Sequence, residues 1–164
     1  MKLYRYAIPT AIVLATAAMI QAPQALASRV ASTAAGACQA SLPLHDANLR
    51  KRPLGIRNEG ASSSFVSCGL QWGHLVFSTQ RNFVIATNQN SATVDLTCTL
   101  VAGPLPGLAG YYPQTVALQP HGTDAIEWLP SEFNDLPNYV NVSCNVPPGV
   151  EINVVGSDYT SIGS

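Results

Sequence analysis

The feature that most constrains the fold is an alternation of apolar and polar residues that recurs around the cysteines. In residues 92–101 the apolar positions are Val94, Leu96, Cys98 and Leu100, and threonine or aspartate stands between them. Residues 139–146 and 65–70 repeat the pattern, with Cys144 and Cys68 on the apolar side. A period of two is typical of a half-buried antiparallel strand. Three cysteines therefore occupy core-facing positions on three different strands, which predicts buried cystines between strands.

The rest of the chain predicts more strands of the same kind. Six further segments combine β-branched or aromatic residues with flanking Gly, Pro or Asn turns: 53–58, 74–78, 82–87, 114–119, 125–129 and 150–155. Residues 131–136 could form one helical turn, and no segment has a helical apolar stripe of useful length. Eight or nine short strands at spacings of roughly 8–12 residues predict an all-β fold. We expect an antiparallel, jelly-roll-like β-sandwich.

The N-terminal segment has the features of a secretory signal peptide. Lys2 and Arg5 precede an apolar stretch over residues 7–20, and small residues follow at 25 and 27. This arrangement predicts cleavage after Ala27. A membrane-spanning helix is the alternative, but the apolar stretch is shorter than the ~20 residues that a span needs.

Cleavage there defines three regions of the chain. Residues 1–27 form the predicted signal peptide, 28–37 a flexible lead-in of small and polar residues, and 38–164 a single β-sandwich domain. A lipoprotein cleavage before Cys38 is the alternative, although the preceding Ala-Gly-Ala lacks the leucine of the usual lipobox. The predicted destination is secreted or periplasmic, with no transmembrane segment after cleavage.

All four cysteines lie in the exported region: Cys38, Cys68, Cys98 and Cys144. An even number in an oxidising compartment predicts two disulfides. The spacing contains no CxxC pair, so it does not indicate a zinc site. Three pairings are possible, and we favour the one that joins neighbours along the chain, Cys38–Cys68 with Cys98–Cys144.

Charge is distributed unevenly along the exported region. Residues 28–100 carry six cations and three carboxylates, and residues 101–164 carry six carboxylates and no Lys or Arg, a net charge of −3. This argues against a nucleic-acid partner, which needs a broad basic surface. Arg50-Lys51-Arg52 is the one basic cluster, and we interpret it as a solvated turn.

Several sequence blocks together resemble a known group of proteins. They are Cys-Gln at 38–39, Gly-Ile-Arg-Asn-Glu-Gly at 55–60, Phe-Val-Ser-Cys-Gly-Leu at 65–70, Thr-Cys-Thr-Leu at 97–100 and Tyr-Val-Asn-Val-Ser-Cys-Asn-Val-Pro-Pro at 139–148. This layout resembles small secreted proteins, mostly of proteobacteria, with a signal peptide, one four-cysteine β-sandwich domain and no assigned activity. The resemblance implies fold and export, and it carries over no binding residues. Gly69 departs from it, because a proline would be expected there.

No catalytic constellation emerges from the titratable residues. The three histidines lack a GxSxG nucleophile motif, so a serine triad is not indicated. Four carboxylates near Trp128 could supply a glycosidase pair or calcium ligands, and an acidic solvated loop is the favoured interpretation: Asp124, Glu127, Glu132 and Asp135. We predict no cofactor and no metal.

Aromatic residues supply the candidate ligand-binding positions: Tyr111, Tyr112, Trp128 and Trp72. Tyr111 and Tyr112 follow a Gly/Pro-rich loop and cannot both face the core of an extended strand, because successive side chains alternate. Their rings could stack on a sugar, whereas core or rim packing is the favoured interpretation for both tryptophans.

Three functions compete on this evidence. The first is a non-catalytic module that binds a glycan or another cell-surface component, and clustered exposed aromatics on one face would favour it. The second is a structural or assembly protein of the envelope or extracellular matrix, which an exposed hydrophobic edge strand would favour. The third is a glycan hydrolase, which requires a cleft with two facing carboxylates.

Overall fold

The computed structural model describes residues 27–70, 77–104, 106–133 and 139–161. This part contains two four-residue helices, α1 (Ala34–Ala37) and α2 (Pro43–Asp46), and two 3-10 turns, Pro106–Leu108 and Pro130–Glu132. The remaining elements are 11 strands: β1 (Ala27–Thr33), β2 (Cys38–Ala40), β3 (Leu49–Arg52), β4 (Gly55–Asn58), β5 (Ser64–Gly69), β6 (Phe77–Asn88), β7 (Val94–Gly103), β8 (Gly110–Leu118), β9 (Thr123–Trp128), β10 (Tyr139–Val146) and β11 (Val150–Ser161).

The strands form two antiparallel sheets in a sandwich-like arrangement, which confirms the predicted fold class. The six-stranded sheet has the order β3-β4-β11-β6-β9, and β1 pairs with the same edge of β11 as β4. The five-stranded sheet has the order β2-β5-β10-β7-β8. Five connections pass from one sheet to the other at the same end of the sandwich: 41–48, 59–63, 89–93, 119–122 and 147–149.

The core lies between the inward faces of the two sheets, and the predicted alternation is confirmed there. Leu96, Cys98 and Leu100 on β7 are fully buried, and their neighbours on the strand are at least partly exposed. Val84 and Ile152 of the six-stranded sheet are also fully buried, in the same core cluster. Burial of such side chains is the main favourable contribution to folding.

Both disulfides join directly opposite residues of neighbouring strands. Cys38 on β2 is bonded to Cys68 on β5, and Cys98 on β7 is bonded to Cys144 on β10. All four are buried, so the predicted cystines between strands and the favoured pairing are confirmed. Both bonds lie within the five-stranded sheet, so packing and connecting loops hold the two sheets together.

The structure merges two predicted strands. Segments 74–78 and 82–87 were expected to be separate, but β6 extends from Phe77 to Asn88, with a β-bulge at Gln80. Gln80 and Arg81 stay in the strand because they have cross-strand partners on β11: Gln80 donates to Thr160 and Arg81 to Asp158. A polar pair within the segment therefore does not mark a turn here.

The expected lead-in, residues 28–37, adopts regular structure instead. Residues 27–33 form β1 along the open edge of β11, and α1 follows directly. Gly156 on β11 makes this pairing possible, because a Cβ atom there would lie 2.7 Å from the Val30 carbonyl oxygen. Residues 1–26 of the predicted signal peptide lie outside the described residues. In the described part of the chain no helix is long and apolar enough to cross a membrane.

Candidate ligand-binding face

The outward side of the five-stranded sheet is the most distinctive surface of the described structure, and we call it the polar face. Its strand residues are mainly hydroxyl, amide and small side chains: Gln39, Phe65, Ser67, Gly69, Asp95, Thr97, Thr99, Val101, Tyr111, Pro113, Thr115, Ala117, Tyr139, Asn141, Ser143 and Asn145. Asp95 is the one charged member of this set. A sheet face of this composition offers many hydrogen bonds and carries a single negative charge.

Strand register arranges these side chains in rows across the sheet. Gly69, Asn141, Val101 and Tyr111 form one row over β5, β10, β7 and β8. Another row includes Thr97 and Thr115, whose hydroxyl oxygens lie 2.8 Å apart. Cross-strand hydroxyl pairs of this kind stabilise a sheet and leave further acceptor capacity for a ligand.

Two tyrosines stand exposed at one end of the polar face. Tyr111 on β8 is 71% exposed, and Tyr139 on β10 is 46% exposed. Tyr139 is paired with Gly103, one outward position beyond the row that contains Tyr111. Two strand spacings and two residues of rise separate their Cα atoms by about 12 Å. Val101 lies between them, and Gly103 is buried beneath the backbone of Leu108 and Ala109.

The structure turns Tyr112 and Trp128 inward, which agrees with the core-packing interpretation for Trp128 and leaves Tyr111 as the exposed ring of the tyrosine pair. Trp128 has no exposed surface, and its indole Nε1 donates to the carbonyl oxygen of Tyr112 at 2.8 Å. Tyr112 packs against the core and the ring of Phe133, with 6.2 Å between centroids. Sequence alternation correctly separated Tyr111 from Tyr112. Trp72 lies outside the described residues.

Trp128 also covers the outer edge of the five-stranded sheet. Its hydrogen bond engages a carbonyl of β8, the edge strand, and Pro113 on the same strand has no amide hydrogen to donate. The opposite sheet ends in β3, which contains Arg50-Lys51-Arg52. This cluster is therefore a charged edge strand and not the predicted solvated turn. Charge and proline on edges discourage strand addition.

The acidic residues near Trp128 have separate partners. Glu127 is paired with Arg81, and Glu132 accepts a hydrogen bond from Gln114 at 2.8 Å. Asp124 is exposed on β9, and Asp135 lies outside the described residues. Over the described ranges, no three His, Cys, Asp or Glu residues are grouped in a way that could hold a metal ion.

The six-stranded sheet has an outward face of the opposite character. Asp158 on β11 accepts hydrogen bonds from Arg29 at 2.7 Å and Arg81 at 2.6 Å, and Arg81 reaches on to Glu127. Hydrogen bonding from Arg29 is the largest cause that holds the pKa of Asp158 below its ordinary value. Phe83 lies under both guanidinium groups, at 5.2 and 5.4 Å from its ring centroid. Two cations from the basic part of the sequence are thus paired with two carboxylates from its acidic part.

A shallow groove of about 480 Å³ borders the polar face on its β2 side. Residues of α1 and β2 form one wall, and the row of Gly69, Asn141 and Val101 forms part of the floor. Lys51 of β3 is the one charged residue in its lining. Sequence reasoning missed Tyr139, Lys51 and this groove, because each depends on how distant strands are paired.

Comparison with known proteins identifies no group for this chain. No protein-family model matches it, and no curated protein is significantly similar to it. The resemblance to secreted proteobacterial proteins therefore stays a prediction.

Proposed function

We propose that this protein is an exported, non-catalytic β-sandwich module that binds a glycan on its polar face. The observation that carries the proposal is the position of Tyr111 and Tyr139 on one polar face of one sheet, where Asp95 is the one charged strand residue. Aromatic rings offer an apolar surface to the C–H faces of sugars, and their hydroxyls provide a polar tip. Asn141, the next outward residue after Tyr139 on β10 and a member of the Tyr111 row, provides an amide that can both donate to and accept from sugar hydroxyls.

Export is part of the proposal, and two observations support it. The two disulfides are compatible with an oxidising compartment outside the cytoplasm. The N-terminal residues carry the basic, apolar and small-residue sections of a secretory signal. We infer that the mature protein begins at Ser28 and functions in the periplasm or outside the cell.

The competing functions have less support. An assembly protein that works by strand addition needs an open apolar edge; of the edge strands, β8 is engaged at one carbonyl by the buried Trp128 and β3 is basic. A glycan hydrolase needs two carboxylates facing one cleft, whereas Glu127 and Glu132 are engaged with Arg81 and Gln114. Both observations favour binding over assembly or hydrolysis.

The proposal is tested with a polysaccharide panel and matched aromatic variants. We expect wild type to bind at least one glycan, and Tyr111→Ala and Tyr139→Ala each to weaken that binding about tenfold. Phe65→Ala is the control, because Phe65 is as exposed as Tyr139 at 46% and lies on the same sheet face. Six residues of rise separate their rows, about 20 Å.

Two results would overturn the proposal. One is a wild-type protein that binds no glycan in the panel. The other is equal binding by wild type and both tyrosine variants, provided that circular dichroism shows the variants to be folded.

A further inference from the structure

The cations of the described structure differ in whether they are paired. Each of the five arginines forms an ion pair: Arg29 with Asp158, Arg50 and Arg52 with Glu59, Arg57 with Glu151, and Arg81 with Glu127 and Asp158. Lys51 has no ion-pair partner among the residues that the structure describes. Its ammonium group therefore retains its full capacity for an external anion.

The direction of Lys51 follows from the pairing of β3. Lys51 lies opposite Ile56, and Leu49 precedes it by two residues; both of these side chains are buried on the inward side of the sheet. Because side chains alternate along a strand, Lys51 leaves β3 on that inward side, toward β2 and α1. Arg50 and Arg52 leave on the other side, where both meet Glu59.

This direction brings Lys51 into the groove beside the polar face. Gly36, Ala37 and Gln39 line the groove with it, and its lining contains no carboxylate. A cation in such a place attracts an anionic ligand without a neighbouring acid to compete for it. The lining also contains the amide of Gln39, which can add a hydrogen bond to a carboxylate.

The groove and the tyrosines belong to one continuous surface. The groove floor includes Gly69, Asn141 and Val101, and the same row ends at Tyr111. Gly69 keeps the surface low along this row because it has no side chain. The space above it is open, since the nearest atom to a Cβ built there is the Asn141 Oδ1 at 3.9 Å. The row from β5 to β8 covers three strand spacings, about 14 Å. Lys51 and Tyr111 therefore stand at opposite ends of a surface that can hold several sugar rings.

We propose that the ligand is an acidic polysaccharide whose uronate carboxylate pairs with Lys51 while another ring of the same chain stacks on Tyr111. The inference rests on the proposed function and specifies the class of glycan. A lysine ammonium donates up to three hydrogen bonds to such an anion. Exposure keeps the pair sensitive to salt, because mobile ions screen it.

The probes are oligogalacturonate and its methyl ester, which share sugar rings and linkages but differ in charge. Wild type should bind the acid about tenfold more tightly than the ester. Lys51→Gln should remove this preference by weakening only the binding of the acid, and Lys51→Arg should retain most of it. Added salt should weaken the binding of the acid by wild type more than by Lys51→Gln.

Arg50→Gln is the matched control, because Arg50 is on the same strand but points to Glu59 on the other side. If Arg50→Gln weakened the binding of the acid as much as Lys51→Gln does, the assignment to Lys51 would be overturned. If wild type bound acid and ester equally and Tyr111→Ala bound both more weakly, the proposal of an acidic ligand would be overturned and the proposal of glycan binding would stand. Absence of binding to every glycan would overturn both proposals.

Discussion

Asn58 and Asn88 occupy equivalent positions at the ends of β4 and β6, and each ties its own loop to the other sheet. The Asn58 amide nitrogen donates to the carbonyl oxygens of Ser62 and Val146, both at 2.8 Å. Asn88 donates in the same way to Ala92 at 2.8 Å and Leu118 at 3.1 Å. Both asparagines are completely buried.

The likeness extends to the sequence around them. Each asparagine accepts a hydrogen bond from the backbone nitrogen two residues later, at 2.9 Å, and donates to the carbonyl four residues later. A disulfide-bonded cysteine follows each by ten residues, Cys68 after Asn58 and Cys98 after Asn88. The same arch from one sheet to the other is therefore built twice, thirty residues apart.

The first prediction concerns these arches. Asn88→Ala should lower the free energy of unfolding by about 3 kcal/mol, because it removes several buried hydrogen bonds and leaves loop carbonyls without a donor. Asn58→Ala should lower the free energy of unfolding by a similar amount. Urea denaturation measures both, and Asn141→Ala on the exposed polar face is the control, with an expected change below about 0.5 kcal/mol. Equal stability of Asn88→Ala and Asn141→Ala would contradict the structural role of the arch.

The second prediction concerns the β10–β11 turn, which joins the two arches. Gly149 has φ 75°, and its backbone nitrogen donates to the carbonyl of Asn58 at 2.8 Å while Asn90 donates to the carbonyl of Pro148 at 2.9 Å. Gly149→Ala should cost about 2 kcal/mol, because a left-handed backbone disfavours a side chain and the new Cβ would collide with Asn90. Thermal unfolding measures the loss.

Gly107→Ala is the matched control for that substitution. No atom outside the neighbouring residues lies within 4 Å of a Cβ built at Gly107. The melting temperature of this variant should stay close to that of wild type. A similar decrease in both variants would indicate that the Gly149 effect does not arise from local geometry.

Strands that alternate clearly could be predicted from the sequence, because one face of each is buried by the fold as a whole. The segment 139–146 matches β10 at both ends, and 92–101 differs from β7 by two residues. The same reasoning placed three cysteines inward, where the structure has them. Such local patterns carry enough information because a strand with one buried face has only one acceptable register.

Elements that depend on a distant partner could not be predicted in this way. β1 is made of small and polar residues, and it forms because the edge of β11 is open and Asp158 meets Arg29. Trp128 is buried because the carbonyl of Tyr112 lies within reach of its indole nitrogen. Composition alone does not reveal either partner. Residues 28–37 were therefore expected to be a lead-in, and Trp128 was a candidate ligand contact with core packing as the favoured alternative.

The third prediction separates the two disulfides. Each should stabilise the protein by about 3–4 kcal/mol if loop entropy dominates, since their partners are 30 and 46 residues apart in sequence. Removal of each disulfide should weaken a different part of the five-stranded sheet. Cys38→Ala/Cys68→Ala should release mainly the short edge strand β2, whereas Cys98→Ala/Cys144→Ala weakens the central β7–β10 pair and the whole sheet.

Hydrogen exchange measured by mass spectrometry distinguishes these outcomes. Faster exchange confined to residues 38–40 and their neighbours is expected for the first double variant, and faster exchange throughout the five-stranded sheet for the second. Identical exchange patterns would refute this difference. Free thiols in the denatured, unreduced wild-type protein would contradict both disulfides.

The last prediction concerns acid stability and the pairing of β1 with β11. The hydrogen bonds from Arg29 lower the pKa of Asp158 from 3.8, with a further contribution from Arg81 and an opposing one from partial burial. Because the folded pKa is depressed, the stabilisation is fully present above 3.8 and is lost as pH falls through the folded value. Asp158→Asn should therefore be less stable than wild type near neutral pH.

The difference in unfolding free energy between wild type and Asp158→Asn should stay constant from neutral pH down to about pH 5 and shrink below about pH 4. Urea titrations at a series of pH values measure it, with Asp95→Asn as the control on the opposite sheet. Asp95 is exposed and forms no ion pair with the described residues, so its variant should follow wild type at every pH. A difference for Asp158→Asn that persists unchanged in acid would show that the loss comes from altered packing. Its disappearance in acid would assign the stability to the charged carboxylate that holds Arg29, and with it the N-terminal strand, against the sandwich.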